Sequence, residues 1–234
     1  MLYQDSDVKI IMTSKNGMIK RSIMKDFLVS RYSKPMTAMK LKADDEMVNA
    51  TIDLGHVLLV SHNGYYLHYS SSEVPVVGIK ASGVKGMSLK DDYLVSALSY
   101  NDTYEYLNIV TDKKTAKRIK LDELVSMNRA KRGGTLIKKV KSNPYNILNA
   151  FVTTSKDILC IKIASEINEI KNSEIAIMDL LSTGSVISKY DIDLTFMKKN
   201  VEELITYEVI EEPVTNTEEV VNMSLDDFID DFKL

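Results

Sequence analysis

Short apolar, β-branched runs alternate with turn signals through most of this chain. Val8–Thr13 is such a run, Ser14–Gly17 turns, and Met18–Ser22 continues as a second run. Asn16-Gly17 between them predicts a hairpin with a type I′ turn, which needs positive φ at both central residues. His56–Val60, Ser61–Gly64 and Tyr65–Tyr69 repeat the unit, again with Asn63-Gly64 in the turn. Leu107–Thr111, Asp112–Thr115 and Ala116–Ile119 give a third copy with a poorer turn, and Ile158–Ile163, Ala164–Glu166 and Ile167–Ile170 a weaker fourth. A short polar-led segment follows each hairpin: Met24–Phe27, Ser72–Val74, Leu121–Leu124 and Asn172–Ile175. Next come a basic or small-residue loop and a strand of the Met39–Lys42 type, repeated at Leu136–Lys141 and weakly at Ser185–Ser188.

The copies keep step. Ala38–Ala50 returns as Gly86–Ala97, with Leu41 and Leu89 48 residues apart and the pairs Asp44-Asp45 and Asp91-Asp92 47 apart. A period in this range signals a propeller or a similar array. The chain is therefore expected to be all-β, with repeats at about 1–45, 46–91, 92–142 and 143–190. The repeat domain is expected to span 1–197 and a separate tail 198–234. Met47–Ala50 reads as a strand leading into the second copy, which leaves the first copy without a leading strand. That strand is expected upstream, the chain reading as an excised domain that starts directly in a strand. Function in such an array belongs to a surface built by copies rather than to one pocket.

The tail breaks the pattern. Asn200–Ile210 reads as one more strand or a short helix, and Glu211–Glu219 as a polar linker. At the end, Leu225, Phe228, Ile229 and Phe232 fall on one helical face, with Ser224 as a candidate cap. Two readings stay open for it, a docking peptide and a frayed tail.

Charge sharpens the picture. The formal net charge is −3, yet residues 201–234 hold eleven acidic residues and one lysine, leaving 29 basic and 22 acidic residues in 1–200. A body at +7 with a tail at −10 suggests a polyanionic partner for the body and a tail that competes for the same surface or docks elsewhere. Cys160 is the only cysteine, so no intrachain disulfide forms and a reduced, cytoplasmic setting is expected. No leader and no apolar run of membrane-spanning length is present in the sequence, so no membrane partner is expected.

Other chemistry finds little support in the same residues. His56, His62 and His68 flank one hairpin without a nearby cysteine or acidic partner, which argues against a metal site. Asp44-Asp45 and Asp91-Asp92 recur as a turn feature rather than as an acid–base pair. Cys160 sits in an apolar strand and reads as core. No glycine pattern for nucleotide binding occurs.

Four motifs, in order, carry a family resemblance. Lys15–Arg21 is similar to a motif in the C-terminal domain of bacterial type IIA topoisomerase A subunits. Ser72–Gly86 resembles the topoisomerase IV A subunits of Gram-positive bacteria more specifically. Arg129–Gly134 and Asp179–Ser185 stand where that family has its later blade loops. The resemblance covers about residues 5–195. It implies a β-pinwheel of four to five four-stranded blades that exchange a strand with their neighbours, a non-catalytic DNA-binding role, and no catalytic residue or cofactor within the domain. The parent enzyme would use ATP and Mg. It also implies as partners duplex DNA, the ATPase B subunit of a heterotetramer and the rest of the A subunit, with the isolated domain monomeric and the setting bacterial and nucleoid-associated.

Two alternatives remain beside it, a gyrase-type wrapping domain and a propeller-like protein-interaction module. Gyrase A subunits carry a box of Gln, basic residues, paired Gly and a further basic-Gly step in the first blade. Here Arg129–Thr135 has only the basic and Gly-Gly parts, and it occurs in the third copy. The first-copy loop, Val29–Pro35, is no such box. This favours relaxation and decatenation by the parent over supercoiling. Arg31-Tyr32 resembles the family's catalytic pair, but the surroundings of a cleavage domain are missing, so Tyr32 reads as a loop aromatic.

A surface that follows phosphates needs cations at intervals and loops through which backbone N–H groups can approach. Lys20, Arg21, Arg31, Lys34, Lys40 and Lys42 cluster in the first copy. Lys80, Lys85 and Lys90 lie in the second, near Gly78, Gly83 and Gly86. Lys117, Arg118, Lys120, Arg129, Lys131, Arg132, Lys138, Lys139 and Lys141 crowd the third. The fourth has only the scattered Lys156, Lys162, Lys171 and Lys189, so the basic strip is expected to fade there. The DNA-binding candidates are therefore Lys20, Arg21, Arg31, Lys34, Lys40, Lys42, Lys80, Lys85, Lys117, Arg118, Arg129, Lys131, Arg132, Lys138 and Lys139. No base-reading helix is predicted, so binding is expected to follow DNA shape and backbone rather than sequence.

Overall fold

A computed structural model of the chain describes residues 7–28 and 35–199. Residues 1–200 form one compact unit, and 201–234 a second that falls outside the described residues. The expectations for Val29–Lys34 and for the tail lie outside them too.

The described residues form four antiparallel sheets. The first combines the hairpin β1 (Lys9–Ser14) and β2 (Met18–Ile23) with β3 (Met47–Ile52). The second joins β4 (His56–Ser61), β5 (Tyr65–Ser70) and β7 (Leu94–Tyr100). Two-residue strands close the outer edges, with β6 (Val84–Lys85) on β2 and β10 (Gly134–Thr135) on β5. The third sheet holds β8 (Tyr106–Thr111), β9 (Thr115–Lys120), β11 (Ile147–Thr153) and β14 (Ser185–Val186). The fourth has β12 (Ile158–Ile163), β13 (Glu166–Lys171) and β15 (Leu194–Lys198). Each short edge strand comes from the unit that follows, so successive blades exchange a strand and the exposed edge of each hairpin is covered.

The burial pattern explains the run of apolar residues on β4. Val57 and Leu59 pack with Ile11 and Ile19 of the first blade, while Leu58 and Val60 pack with Leu107 and Ile109 of the third. A strand covered on both faces reads as a continuous apolar segment. A third cluster, with Val110, Ala116, Leu159, Ile161 and Ile175, joins the last two blades. Cys160 is buried at its expected strand position.

Three readings of the sequence are corrected. Met47–Ile52 does not lead into the second copy. It pairs with β1 and completes the first sheet, which therefore lacks no strand. The repeat accordingly breaks after residue 52 rather than at 45. Met39–Lys42 and Leu136–Lys141 are irregular rather than strands, and in the third copy the segment that pairs is the short stretch just before, Gly134–Thr135. The turns are not type I′. In each Asn-Gly turn only the glycine has positive φ, +83° at Gly17 and +82° at Gly64, and the Gly17 N–H donates to Ser14 O at 3.0 Å. This is a three-residue loop ending in a left-handed residue. Lys114 takes that position in the third hairpin at φ +60°, which accounts for the poorer sequence signal there.

Side chains fix these loops in a repeated way. The Ser14, Ser61 and Thr111 hydroxyls accept from the N–H of Met18, Tyr65 and Thr115 at 3.2, 3.1 and 3.3 Å. Asp45 and Asp92 accept from the N–H of Asn16 and Asn63 at 2.9 and 3.1 Å, so the recurring aspartates serve the turn.

Candidate nucleic-acid interface

The conspicuous Lys-Arg dipeptides do not face solvent. On a strand, neighbouring residues point to opposite faces, but β2 and β9 are enclosed by adjacent blades and by the loop crossing their edge. Lys20 is fully buried, and its Nζ donates to Gly78 O and Ile79 O at 3.1 and 2.6 Å. Burial pulls its pKa down. Lys117 is buried in the same register and donates to Leu136 O, Asp179 O and Leu180 O at 2.8, 2.9 and 2.7 Å. Burial lowers its pKa to about 8, against the smaller opposing pull of Asp179 and Glu123.

The arginines grip the same loops. Arg21 Nε donates to Val74 O at 2.7 Å, and its Nη1 meets Asp53 Oδ2 at 2.9 Å. Asp53 keeps its carboxyl below the usual range despite burial, through hydrogen bonds from Ser71, Arg21 and Gly55. Arg118 Nε donates to Ile175 O at 2.7 Å and lies over the Tyr106 ring at 4.7 Å. A buried cation is tolerated only when its donors are satisfied, and here the exchanged loops satisfy them. Lys20, Lys117 and Arg118 are therefore withdrawn from the candidate interface as buried groups, and Arg21 as a paired one. They are clasps between blades.

In the second blade His68 occupies the arginine register. The parallel bridges Arg21 to Val76, His68 to Ser126 and Arg118 to Ile177 fix that equivalence. His68 Nε2 lies 2.9 Å from Tyr100 Oη, and His56 stacks on Tyr100 at 5.1 Å. Burial, then the nearby His56, lowers the His68 pKa. His62 stacks on Tyr93 at 4.7 Å. The three histidines thus serve the packing and turn of one hairpin.

The loop cations have a different fate. Lys40, Lys42, Lys80, Lys85, Lys131, Arg132, Lys138 and Lys139 are all exposed. The loops after the second and third hairpins lie side by side, with Ala130 N donating to Gly86 O at 2.9 Å and Ser88 N to Lys131 O at 2.8 Å. Lys40 joins them through its N–H on Ala81 O at 3.3 Å. Arg129 is half-buried and held by Glu73, its Nε on Glu73 O at 3.0 Å and its N–H on Glu73 Oε2 at 2.8 Å, so it braces the junction. Its Nη1 also donates to Lys85 O.

Tyr65, which the charge pattern alone does not point to, organises the basic cluster. The Arg132 guanidinium carbon lies 4.2 Å and Lys139 Nζ 4.4 Å from its ring centroid. Lys139 also donates to its hydroxyl. Such contacts hold two long cations in place against a ring face. A small cavity of about 220 Å³ beside them is lined by Asn63, Ile137, Lys138, Lys141 and Tyr145 among others. Arg31 and Lys34 lie outside the described residues.

Comparison with known proteins gives this arrangement a family. The DNA gyrase C-terminal domain, beta-propeller model matches residues 9–52, 55–101 and 105–154, the phase set by the sheets. The A subunit of DNA topoisomerase 4 from Staphylococcus epidermidis is 33% identical over 198 residues, covering 81% of this chain and 25% of that protein. The Bacillus subtilis subunit of the same name is 30% identical over 184 residues, covering 77% and 23%. This chain thus spans about a quarter of the length of these curated relatives. A crystal structure of the C-terminal domain of DNA topoisomerase IV superposes with a TM-score of 0.81 at 32% identity, covering 86% of this chain and 65% of that one. The three matched units and the exchanged strands leave one conclusion: the chain belongs to the DNA gyrase C-terminal beta-propeller family, alongside the topoisomerase IV A subunits of Gram-positive bacteria.

Proposed function

We propose that this chain is a non-catalytic DNA-binding domain of a type IIA topoisomerase of the topoisomerase IV kind. It holds duplex DNA on its basic loops while the remainder of the enzyme relaxes and decatenates. One observation carries the reading. The loops after the second and third hairpins are hydrogen-bonded to each other, which brings exposed Lys85 near exposed Lys131, while Tyr65 holds exposed Arg132 and Lys139, with Lys138 next to Lys139 in the chain. Cations spaced in this way neutralise successive phosphates without reading bases. The strand pairs at 20–21 and 117–118 hold the scaffold, and the loops make the contact. Lys40, Lys42 and Lys80 extend the surface toward the first blade.

In this reading the partners are duplex DNA, an ATPase B subunit plus the rest of the A subunit, in a bacterial cytoplasm, with the isolated domain monomeric. The test is anisotropy of a short random-sequence duplex titrated with the wild type and with Lys131→Ala/Arg132→Ala. The double variant should bind several-fold more weakly with an unchanged circular dichroism spectrum. Equal affinity would remove these residues from the site.

A further inference from the structure

The loop after the third hairpin is fixed on the second hairpin over a short backbone stretch. Gly134 pairs with Tyr66 and Thr135 with Tyr65, and the Leu136 N–H donates to Gly64 O at 2.8 Å. Leu136 and Ile137 are buried just beyond. Arg132 and Lys139 flank this stretch, and their exposed side chains return to the half-buried ring of Tyr65, at 4.2 and 4.4 Å from its centroid. One ring of the second blade thus sets two cations of the third loop, less than about 9 Å from each other and inside one Debye length at ordinary salt.

The other junctions are built differently. Gly83, Gly133 and Gly184 hold the same left-handed position before each exchanged strand, with φ of +80°, +88° and +84°. Counted from them, Arg132 corresponds to Ser82 and Thr183, and Lys139 to Leu89 and Tyr190. Tyr65, opposite Thr135, corresponds to Met18 opposite Lys85 in the first blade and to Thr115 opposite Val186 in the third. Neither of those junctions has a cation at either flanking position, and neither has a ring at the position of Tyr65.

Two like charges held this close repel each other, and the ring face offsets part of that repulsion. A phosphate between them offsets the rest. A long side chain that is free in solution loses rotamer freedom when it binds an anion, whereas these two are already held. We propose that Tyr65 is a positioning residue for DNA: it orders Arg132 and Lys139 before contact and so raises the affinity for phosphate at the junction of the second and third blades. The proposal rests on the DNA-binding reading above. Tyr65 carries no charge of its own, so it changes affinity without changing the number of phosphates neutralised.

A salt series of anisotropy titrations with a short random-sequence duplex tests this in the full chain. The variants are Tyr65→Met, Tyr65→Phe, Arg132→Ala/Lys139→Ala and the last combined with Tyr65→Met. Methionine is chosen because Met18 fills the same position in the first blade. Tyr65→Met should bind about tenfold more weakly with the wild-type salt slope. Tyr65→Phe, which keeps the ring face, should stay within about twofold of wild type. Arg132→Ala/Lys139→Ala should lower the logarithmic slope by about 2. Adding Tyr65→Met to that pair should cost no further affinity, because the ring then has nothing to hold. Urea midpoints of all variants control for the fold. Wild-type affinity in Tyr65→Met would overturn the inference and leave the DNA reading in place. The same holds for a triple variant that loses as much again as Tyr65→Met does alone. A wild-type chain that binds no duplex at low salt would overturn both.

Discussion

Lys117 Nζ lies 2.8 Å from the carbonyl oxygen of Leu136, and both residues are almost wholly buried. A lysine that a charge count assigns to the surface is thus part of the joint between the third blade and its neighbours.

Replacing it should cost stability rather than DNA affinity. Lys117→Met keeps the bulk of the side chain but takes the Nζ donor away from the buried Leu136 carbonyl and from those of Asp179 and Leu180, of which Asp179 O keeps the Ser182 N–H. The expected loss is about 1–3 kcal/mol. Urea unfolding with parallel duplex-binding titrations checks this, and a variant with native stability and weakened binding would contradict it.

The pH dependence of that joint has a definite sign. Burial lowers the Lys117 pKa to about 8, below its ordinary 10.5. Between these values the unfolded chain holds a proton that the native state has released, so unfolding takes up protons and rising pH favours the native state. The stability difference between wild type and Lys117→Met should therefore grow from pH 8 to pH 10. Urea midpoints of both proteins across that window measure it.

His68 acts in the same sense at lower pH. Its native pKa is lowered by burial and by His56, so the unfolded chain takes up the proton first as pH falls. Stability should drop as pH falls below about 6.5, the ordinary histidine value. His68→Gln, which keeps a polar group near Tyr100, should flatten the profile. Thermal midpoints at pH 7.5 and 5.5 decide it.

Gly133 tests the exchanged strand. It has φ +88°, and an added Cβ would sit 1.8 Å from Tyr66 O. Gly133→Ala should displace the third loop from β5 and cost more than about 3 kcal/mol. Gly55→Ala, where φ is +106° but nothing lies within 4 Å, should cost less. Denaturant midpoints of the pair separate contact from backbone strain.

The first two hairpins were legible from their turn glycines, and the third and fourth only from apolar runs that recur in step with them. Strand exchange was not legible from the residues themselves, because Val84–Lys85 and Gly134–Thr135 are two-residue strands with no pattern of their own. It entered only through the family resemblance. The phase of the repeat was hidden for a related reason. Met47–Ile52 carries no mark of whether it pairs backward with β1 or forward. Charge was the weakest guide to the site. Lys20 and Lys131 look alike in sequence, yet one is capped by Gly78 and Ile79 carbonyls and the other is exposed. Only the loop that crosses β2, contributed from 58 residues downstream, separates them.

The most direct measurement is a salt series of binding to a short random-sequence duplex, comparing wild type, Lys131→Ala/Arg132→Ala and Lys117→Met. If the loops carry the DNA, wild-type affinity falls steeply with salt, and the loop double variant lowers the logarithmic slope by about 2. The slope for Lys117→Met should equal that of the wild type. A slope unchanged in the loop variant but reduced in Lys117→Met would contradict the assignment of contact to the loops and of scaffold to the strands.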